Sequence, residues 1–174
     1  PPWTDTVQVN FYSPDLRQAL IGELKKIAEV ADGVRCDMAM LALNDVFERV
    51  WGKFTDYPRP GTEFWTEAIR QVKKERPDFI FLAEAYWDLE RQLQQLGFDF
   101  TYDKTLYDQL RYSNAGDIRN HLMADIPYLQ RSAHFIENHD EQRAVTAFGR
   151  ERSLAAAVVV STIPGLRLFH NGQL

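Results

Sequence analysis

The 174-residue sequence has the composition of a folded globular domain: apolar residues make up 45% of it and aromatic residues 13%. That fraction can bury a core and is too apolar for a disordered chain. The net charge is −5, and the longest basic run is residues 73–76. Since nucleic acids and anionic membranes select clustered basic faces, we expect neither as a partner.

A single cysteine, Cys36, excludes an internal disulfide and any site with several cysteine ligands. Its neighbours predict a buried thiol in the core rather than a nucleophile. No apolar run reaches the roughly 18 residues that cross a bilayer, and residues 1–5 do not resemble a signal peptide. Localisation stays open on these grounds, with the cytoplasm slightly favoured.

The first half of the chain alternates helical and strand patterns after an irregular start. Ser13 and Pro14 are a typical helix start, and leucines then recur at helical spacing. Gly33 fits a helix end followed by a strand with a charge at every second position. The predicted elements are a helix over 15–31, a strand over 34–38, a helix over 41–51, a loop over 52–61, a helix over 62–75 and a strand over 79–83.

The second half repeats this alternation. Asp88 can cap a short helix that Gly97 closes, and Pro164 with Gly165 ends a later apolar helix. The further predicted elements are a strand over 98–101, helices over 104–112 and 117–124, a strand over 133–137, a helix over 151–162 and a strand over 166–169.

Strands that alternate with helices indicate crossover units and a parallel sheet, hence an α/β fold. Acidic residues directly after several strands favour a (β/α)₈ barrel, whose active site is assembled from the carboxyl ends of its strands. Such a barrel needs eight strands and typically about 250 residues. Five strands in residues 1–174 therefore predict a single domain that is an incomplete barrel.

Three acids, Asp37, Glu84 and Asp140, stand at the exits of three predicted strands. Arg35 shares a strand face with Asp37 and would keep that carboxylate charged, as a nucleophile requires. Glu84 follows an apolar run whose dry surroundings favour the protonated form, which suits a residue that protonates a leaving group. Retaining glycosidases place such a pair about 5 to 5.5 Å apart.

Three segments around these acids resemble, in order and spacing, the second, third and fourth signature segments of the alpha-amylase family of glycoside hydrolases. They are residues 33–37, 81–87 and 135–140. Residues 9–14 are similar to the stretch that leads to the fourth barrel strand, and residues 163–173 to the eighth strand and its exit. The resemblance implies a partial (β/α)₈ barrel of roughly strands 4 to 8 with their helices.

The resemblance also implies roles for individual residues. Asp37 matches the nucleophile, Glu84 the general acid/base, and Asp140 the acid that binds sugar hydroxyls and stabilises the transition state. Arg35 and His139 match the pair that orients the nucleophile and the sugar.

Three further residues complete the expected substrate-binding set. Tyr86 and Trp87 could stack on a sugar face or simply pack at the barrel rim. Asn138 lies in the fourth segment beside His139. The implied activity is retaining hydrolysis of α-glucosidic bonds in oligo- or polysaccharides, with a carbohydrate as substrate.

The departures from the family pattern bear on substrate and metal. The first signature has no counterpart, and the usual calcium ligands would lie in that missing portion, so calcium is implied only for a full-length protein. Met40 and Leu41 stand where many amylases have a Lys-His pair, and Leu174 where the eighth-strand exit often has a glutamate. A starch-type acceptor site is therefore not implied.

Several alternatives remain open at this point. A family member can serve as a non-catalytic sugar-binding or scaffold protein, or as a transglycosylase. The cluster Glu137, His139, Asp140 and Glu141 could belong to a metal site of an unrelated barrel hydrolase, although alternate strand residues point in opposite directions. His121, His134 and His170 are expected to be surface or core residues. Open sheet edges predict association of the isolated chain and little activity.

Overall fold

A computed structural model describes residues 4, 6–123 and 125–173. These residues form a five-stranded sheet with the strands side by side in chain order, and every neighbouring pair is parallel. Its strands are β1 (Gly33–Cys36), β2 (Ile80–Ala83), β3 (Phe100–Tyr102), β4 (Ser132–His134) and β5 (Leu166–Arg167). All five carboxyl ends therefore lie along one edge of the sheet.

Helices connect the strands. They are α1 (Pro14–Val30), α2 (Asn44–Trp51), α3 (Phe64–Glu75), α4 (Glu90–Gln95), α5 (Lys104–Tyr112), α6 (Ala115–Leu122), α7 (Ile126–Gln130), α8 (Ala144–Phe148) and α9 (Arg150–Thr162). Short 3₁₀ turns cover Ala39–Ala42 and Gly52–Phe54. The Ser13 side chain accepts a hydrogen bond from the Leu16 N–H, so α1 begins at the predicted cap. No described helix is long and apolar enough to cross a membrane.

The α/β alternation is confirmed, but some predicted boundaries are wrong. The predicted helix over 41–51 is a 3₁₀ turn followed by α2, and the strand over 133–137 is β4, which ends at His134. α6 begins two residues early because the Asn114 side chain accepts the N–H groups of Gly116 and Asp117. Helices α7 and α8 were not predicted, since five residues are too few to show a period. Ala124 and Leu174, which the sequence analysis used, lie outside the described residues.

The main core packs α1 and α3 against the first half of the sheet. Its aromatic side chains meet edge to face: the ring centroids of Trp65 and Phe98 are 4.9 Å apart, and those of Phe79 and Phe81 are 5.2 Å apart. Cys36 is buried in this core, and burial raises the pKa of its thiol to about 12. The predicted burial of this thiol in the core is therefore confirmed.

Both outer strands of the sheet have one free edge within the described part of the chain. There, β1 pairs with β2 alone and β5 with β4 alone. A closed (β/α)₈ barrel has no edge strands. The described residues thus supply five neighbouring parallel strands with the helices between them, in agreement with the predicted fold class of a partial barrel.

A buried polar cluster links β3, β4 and α6. One oxygen of Asp103 lies 2.9 Å from His121 Nε2 and 3.0 Å from His134 Nδ1, and its other oxygen accepts the Leu106 N–H at the start of α5. His134 Nε2 lies 2.8 Å from the Pro164 carbonyl oxygen. Burial alone would raise the pKa of Asp103, but hydrogen bonds and charge from the two histidines outweigh it and lower the pKa to about 2.

We predict that Asp103 contributes acid-sensitive stability. An unfolded aspartate has a pKa near 3.9, so above that pH the lowered pKa of folded Asp103 adds about 2 kcal/mol to the free energy of unfolding. This contribution is lost as the pH falls through about 2. The difference in free energy of unfolding between wild type and Asp103→Asn, measured with urea, should be smaller at pH 2 than at pH 5 by that amount. The exposed Asp78→Asn serves as control. A gap that does not change with pH would contradict the assignment.

Two glycine substitutions should have opposite effects on stability. Gly165 has φ +128°, and a Cβ there would lie 2.6 Å from His134 Nε2 and from two carbonyl oxygens. Gly165→Ala should therefore cost roughly 2 kcal/mol or more. Gly22 lies within α1 with no atom near its Cβ position, so Gly22→Ala should add about 0.5–1 kcal/mol. Urea denaturation measures both; equal effects would refute the packing described.

Candidate active site

Strand register brings two of the three predicted acids side by side. Cys36 pairs with Ala83 at the ends of β1 and β2, so the next residue of each chain segment, Asp37 and Glu84, leaves the sheet at the same place. The Glu84 N–H donates to the Cys36 carbonyl and the Ala39 N–H to the Glu84 carbonyl, which extends the pairing past the strand ends. Asp140 reaches the same edge from the loop after β4.

The Arg35 guanidinium contacts all three carboxylates. Its Nη1 hydrogen-bonds to Asp37 Oδ1, and its Nη2 lies 3.0 Å from Glu84 Oε1 and 3.7 Å from Asp140 Oδ2. The two Nη2 contacts are ion pairs without hydrogen-bond alignment. The structure therefore brings the predicted acids together around one cation. Arg35 pairs with Asp37 as predicted, and its contacts with Glu84 and Asp140 are additional to the predicted ones.

The three carboxylates differ in exposure. The side chains of Asp37 and Asp140 are 74% and 53% exposed, whereas that of Glu84 is 4% exposed. The predicted dry surroundings of Glu84 are thus present, and so are polar partners that the sequence did not indicate. Its Oε2 accepts the Met38 N–H at 2.7 Å, and its Oε1 accepts the Tyr86 hydroxyl at 2.8 Å.

Left-handed backbone conformations flank the Glu84 carboxyl. Met38 has φ +43°, and this turn aims its N–H at Glu84. Trp87 and Asp88 have φ +64° and +60°, so the chain reverses directly after Tyr86 and leaves the Trp87 side chain exposed. Such conformations are unfavourable for L-residues outside glycine and concentrate at functional sites.

Tyr86 bonds to Glu84 through its hydroxyl, a contact that the expected sugar stacking did not include. Burial, together with the neighbouring Glu84 carboxylate, raises the pKa of Tyr86. The phenol therefore stays neutral, with its proton available to Glu84, across the ordinary pH range.

The loop after β4 is held by Asn138. Its buried side-chain oxygen accepts the N–H groups of Asp140 at 2.9 Å and Glu141 at 3.0 Å. His139 is exposed, and its Nε2 lies 3.2 Å from Asp140 Oδ2. Asn138 thus shapes the loop that carries Asp140. His139 lies against Asp140, whereas the resemblance implied contacts of His139 with the nucleophile and the sugar.

Sequence reasoning missed Tyr102. Its ring is buried at the end of β3, and the Arg35 Cζ lies 5.5 Å from the ring centroid, a cation–π distance. The predicted acids follow β1, β2 and β4, and no acid of the predicted set follows β3. β3 lies between β2 and β4, and the aromatic residue at its end is the signal that could have identified this support for Arg35.

The proposed metal cluster is not assembled in the described part of the chain, where no group of three or more possible ligands could hold an ion. The buried Glu137 accepts the Ala144 N–H and an Arg143 N–H, and Glu141 lies 3.2 Å from Lys104 Nζ. Burial alone would raise the pKa of Glu137, but these donors lower it. Because Glu137 and Glu141 bind these different partners, they do not form a shared set of metal ligands.

Comparisons with known proteins agree with this architecture. No family model matches the chain. It is 28% identical over 179 residues to the alpha-amylase MalA of Haloarcula japonica, covering 98% of this chain and 24% of MalA. The alpha-amylase of Lactobacillus plantarum superposes with a TM-score of 0.71 at 23% identity, over 98% of this chain and 42% of that one. The maltogenic alpha-amylase AmyB of Thermotoga neapolitana gives 0.71 at 25% identity, over 97% and 37%.

The chain thus spans about a quarter of the curated relative and well under half of these solved structures. The alpha-amylase from H. orenii, at 21% identity and a TM-score of 0.74, shows the same fold over 98% of the chain. Matches of this extent place the five parallel strands within the barrel of these enzymes. The chain is therefore similar in sequence to an alpha-amylase, and its five strands have the fold of part of the barrel of the alpha-amylases named above.

Proposed function

We propose that this chain carries the three acids of a retaining glycoside hydrolase that acts on α-glucosidic bonds. One observation carries the proposal: carboxylates from three separate segments meet at one guanidinium on the carboxyl edge of the sheet. In a (β/α)₈ barrel that edge forms the catalytic face. The names of the relatives, an alpha-amylase and a maltogenic alpha-amylase, support the α-glucosidic substrate.

Exposure and partners suggest how the acids divide the reaction. Asp37 is open to solvent and paired with Arg35, so its oxygen can attack the anomeric carbon. Glu84 gives its proton to the glycosidic oxygen as that bond breaks, and an ester forms between Asp37 and the sugar. Glu84, now a carboxylate, takes a proton from water, whose oxygen attacks the anomeric carbon and releases Asp37.

Asp140 supports the charge that develops between these steps. Its carboxylate is half exposed beside Arg35, where it can bind sugar hydroxyls and stabilise the oxocarbenium-like transition state. His139, directly against Asp140, would join it in binding the sugar. The exposed indole of Trp87 suits stacking on a sugar face. Because all three acids are present, we favour catalysis over a purely sugar-binding or scaffold role.

Substitution of Asp37 tests the assignment of the nucleophile. In the full-length protein, Asp37→Ala should lower turnover of an α-glucoside about 10⁴-fold or more, since no ester can form. Asp78→Ala removes an exposed acid outside the site and should leave turnover unchanged. The measurement is glucose or maltose release under saturating substrate. Undiminished turnover of Asp37→Ala would exclude this residue as nucleophile.

The isolated 174-residue chain should be at least about 100-fold less active than the full-length protein, because five strands leave the catalytic edge unsupported on both sides. It should also associate through the free edges of β1 and β5. Light scattering after size exclusion measures the association, and the same α-glucoside assay measures the activity. A monomer with full activity would show that the five strands are sufficient.

A further inference from the structure

The Glu84 carboxyl group has three polar partners, and they differ in what they can do. The Met38 N–H donates to Oε2, while the Tyr86 hydroxyl donates to Oε1, which also lies 3.0 Å from Arg35 Nη2. A backbone N–H and a guanidinium can only donate hydrogen bonds, whereas a phenol hydroxyl both donates and accepts. Tyr86 is therefore the one partner among these three that can serve a protonated Glu84 as well as an ionised one.

This difference matters because a general acid/base changes its protonation state twice in each cycle. As a carboxylate, Glu84 accepts hydrogen bonds from the Met38 N–H and the Tyr86 hydroxyl and forms an ion pair with Arg35. As a carboxylic acid it also carries an O–H, and its side chain is buried, so this O–H needs an acceptor nearby. The Tyr86 oxygen, 2.8 Å from Oε1, supplies that acceptor when the phenol proton turns away.

We propose that Tyr86 is a positioning residue for Glu84, and that its hydroxyl reverses from donor to acceptor as Glu84 changes protonation state. The proposal rests on the acid/base role given to Glu84 above. When Glu84 is protonated and no substrate is bound, its O–H points to the Tyr86 oxygen. When a glycosidic oxygen arrives, that O–H turns to it and its proton is transferred, while the Tyr86 O–H turns back to donate to the carboxylate being formed.

The proton balance is closed within this scheme. The proton given to the leaving group comes from Glu84 and is replaced by one from the attacking water, so Tyr86 neither gains nor loses a proton. Burial and the adjacent carboxylate raise the pKa of Tyr86, in keeping with a phenol that stays neutral throughout. The contact also fixes the direction of the Glu84 side chain in both states.

A spectroscopic experiment tests the reversal without any turnover. In the chain labelled with ¹³C at tyrosine Cζ, the Tyr86 signal is assigned by its loss in Tyr86→Phe. It should move as acid protonates carboxylates, and this movement should disappear in Glu84→Gln, which cannot ionise. Tyr12 is the internal control, because its hydroxyl bonds to Glu48 and its signal should respond equally in both proteins. An unchanged Tyr86 movement in Glu84→Gln, or none in wild type, would overturn the proposal.

Kinetics of Tyr86→Phe in the full-length protein separate positioning from a merely structural effect. On a glucan, kcat should fall about tenfold or more with KM little changed, since proton transfer to the leaving group is impaired. On a nitrophenyl α-glucoside, whose leaving group needs no proton, the loss should stay below about twofold. Tyr12→Phe removes a comparable hydroxyl–carboxylate bond elsewhere and should leave both rates unchanged.

The two experiments distinguish an error in the role of Tyr86 from an error in the proposed function. Equal losses of Tyr86→Phe on both substrates would overturn the positioning role. Absence of turnover in the wild-type full-length protein would instead contradict the proposed function, while the ¹³C result would still decide whether Tyr86 responds to Glu84.

Discussion

The candidate site depends on one cation placed among three carboxylates. Asp37, Glu84 and Asp140 come from segments far apart in the chain, and their negative charges would repel one another at this distance. Arg35 offsets that repulsion, and it is itself fixed by its strand and by the ring of Tyr102 beneath it. The parallel register of β1 and β2 thus places Asp37 beside Glu84, and a single guanidinium pairs with both carboxylates.

The same arrangement makes the carboxylates unequal. Asp37 and Asp140 face solvent, while Glu84 is enclosed and receives a backbone N–H and a hydroxyl. The N–H comes from Met38, one residue after Asp37, through a left-handed turn. The segment that carries the proposed nucleophile therefore also binds the proposed acid, because the left-handed conformation of Met38 directs its N–H to Glu84.

The sequence was sufficient to predict the parallel α/β plan and the meeting of the acids. Strand alternation put Arg35 and Asp37 on one face, and residues that directly follow parallel strands must share an edge. Individual side-chain contacts could not be predicted in this way. The position of His139 against Asp140, the Tyr86 hydroxyl on Glu84 and the Tyr102 ring under Arg35 depend on side-chain directions in loops and on packing. β1, β4 and β5 end two or three residues before their predicted ends, and in β4 and β5 this is because the apolar run continues into the loop beyond the last paired residue.

Nuclear magnetic resonance of the Arg35 guanidinium tests the central claim most directly. Held by carboxylates on both Nη atoms, this group should give resolved side-chain signals, and each of Asp37→Asn, Glu84→Gln and Asp140→Asn should shift them. Asp99→Asn removes an acid that pairs with Lys73 at the opposite edge of the sheet and should leave them in place. Arg35 signals that do not shift in any one of the three site substitutions would contradict the account.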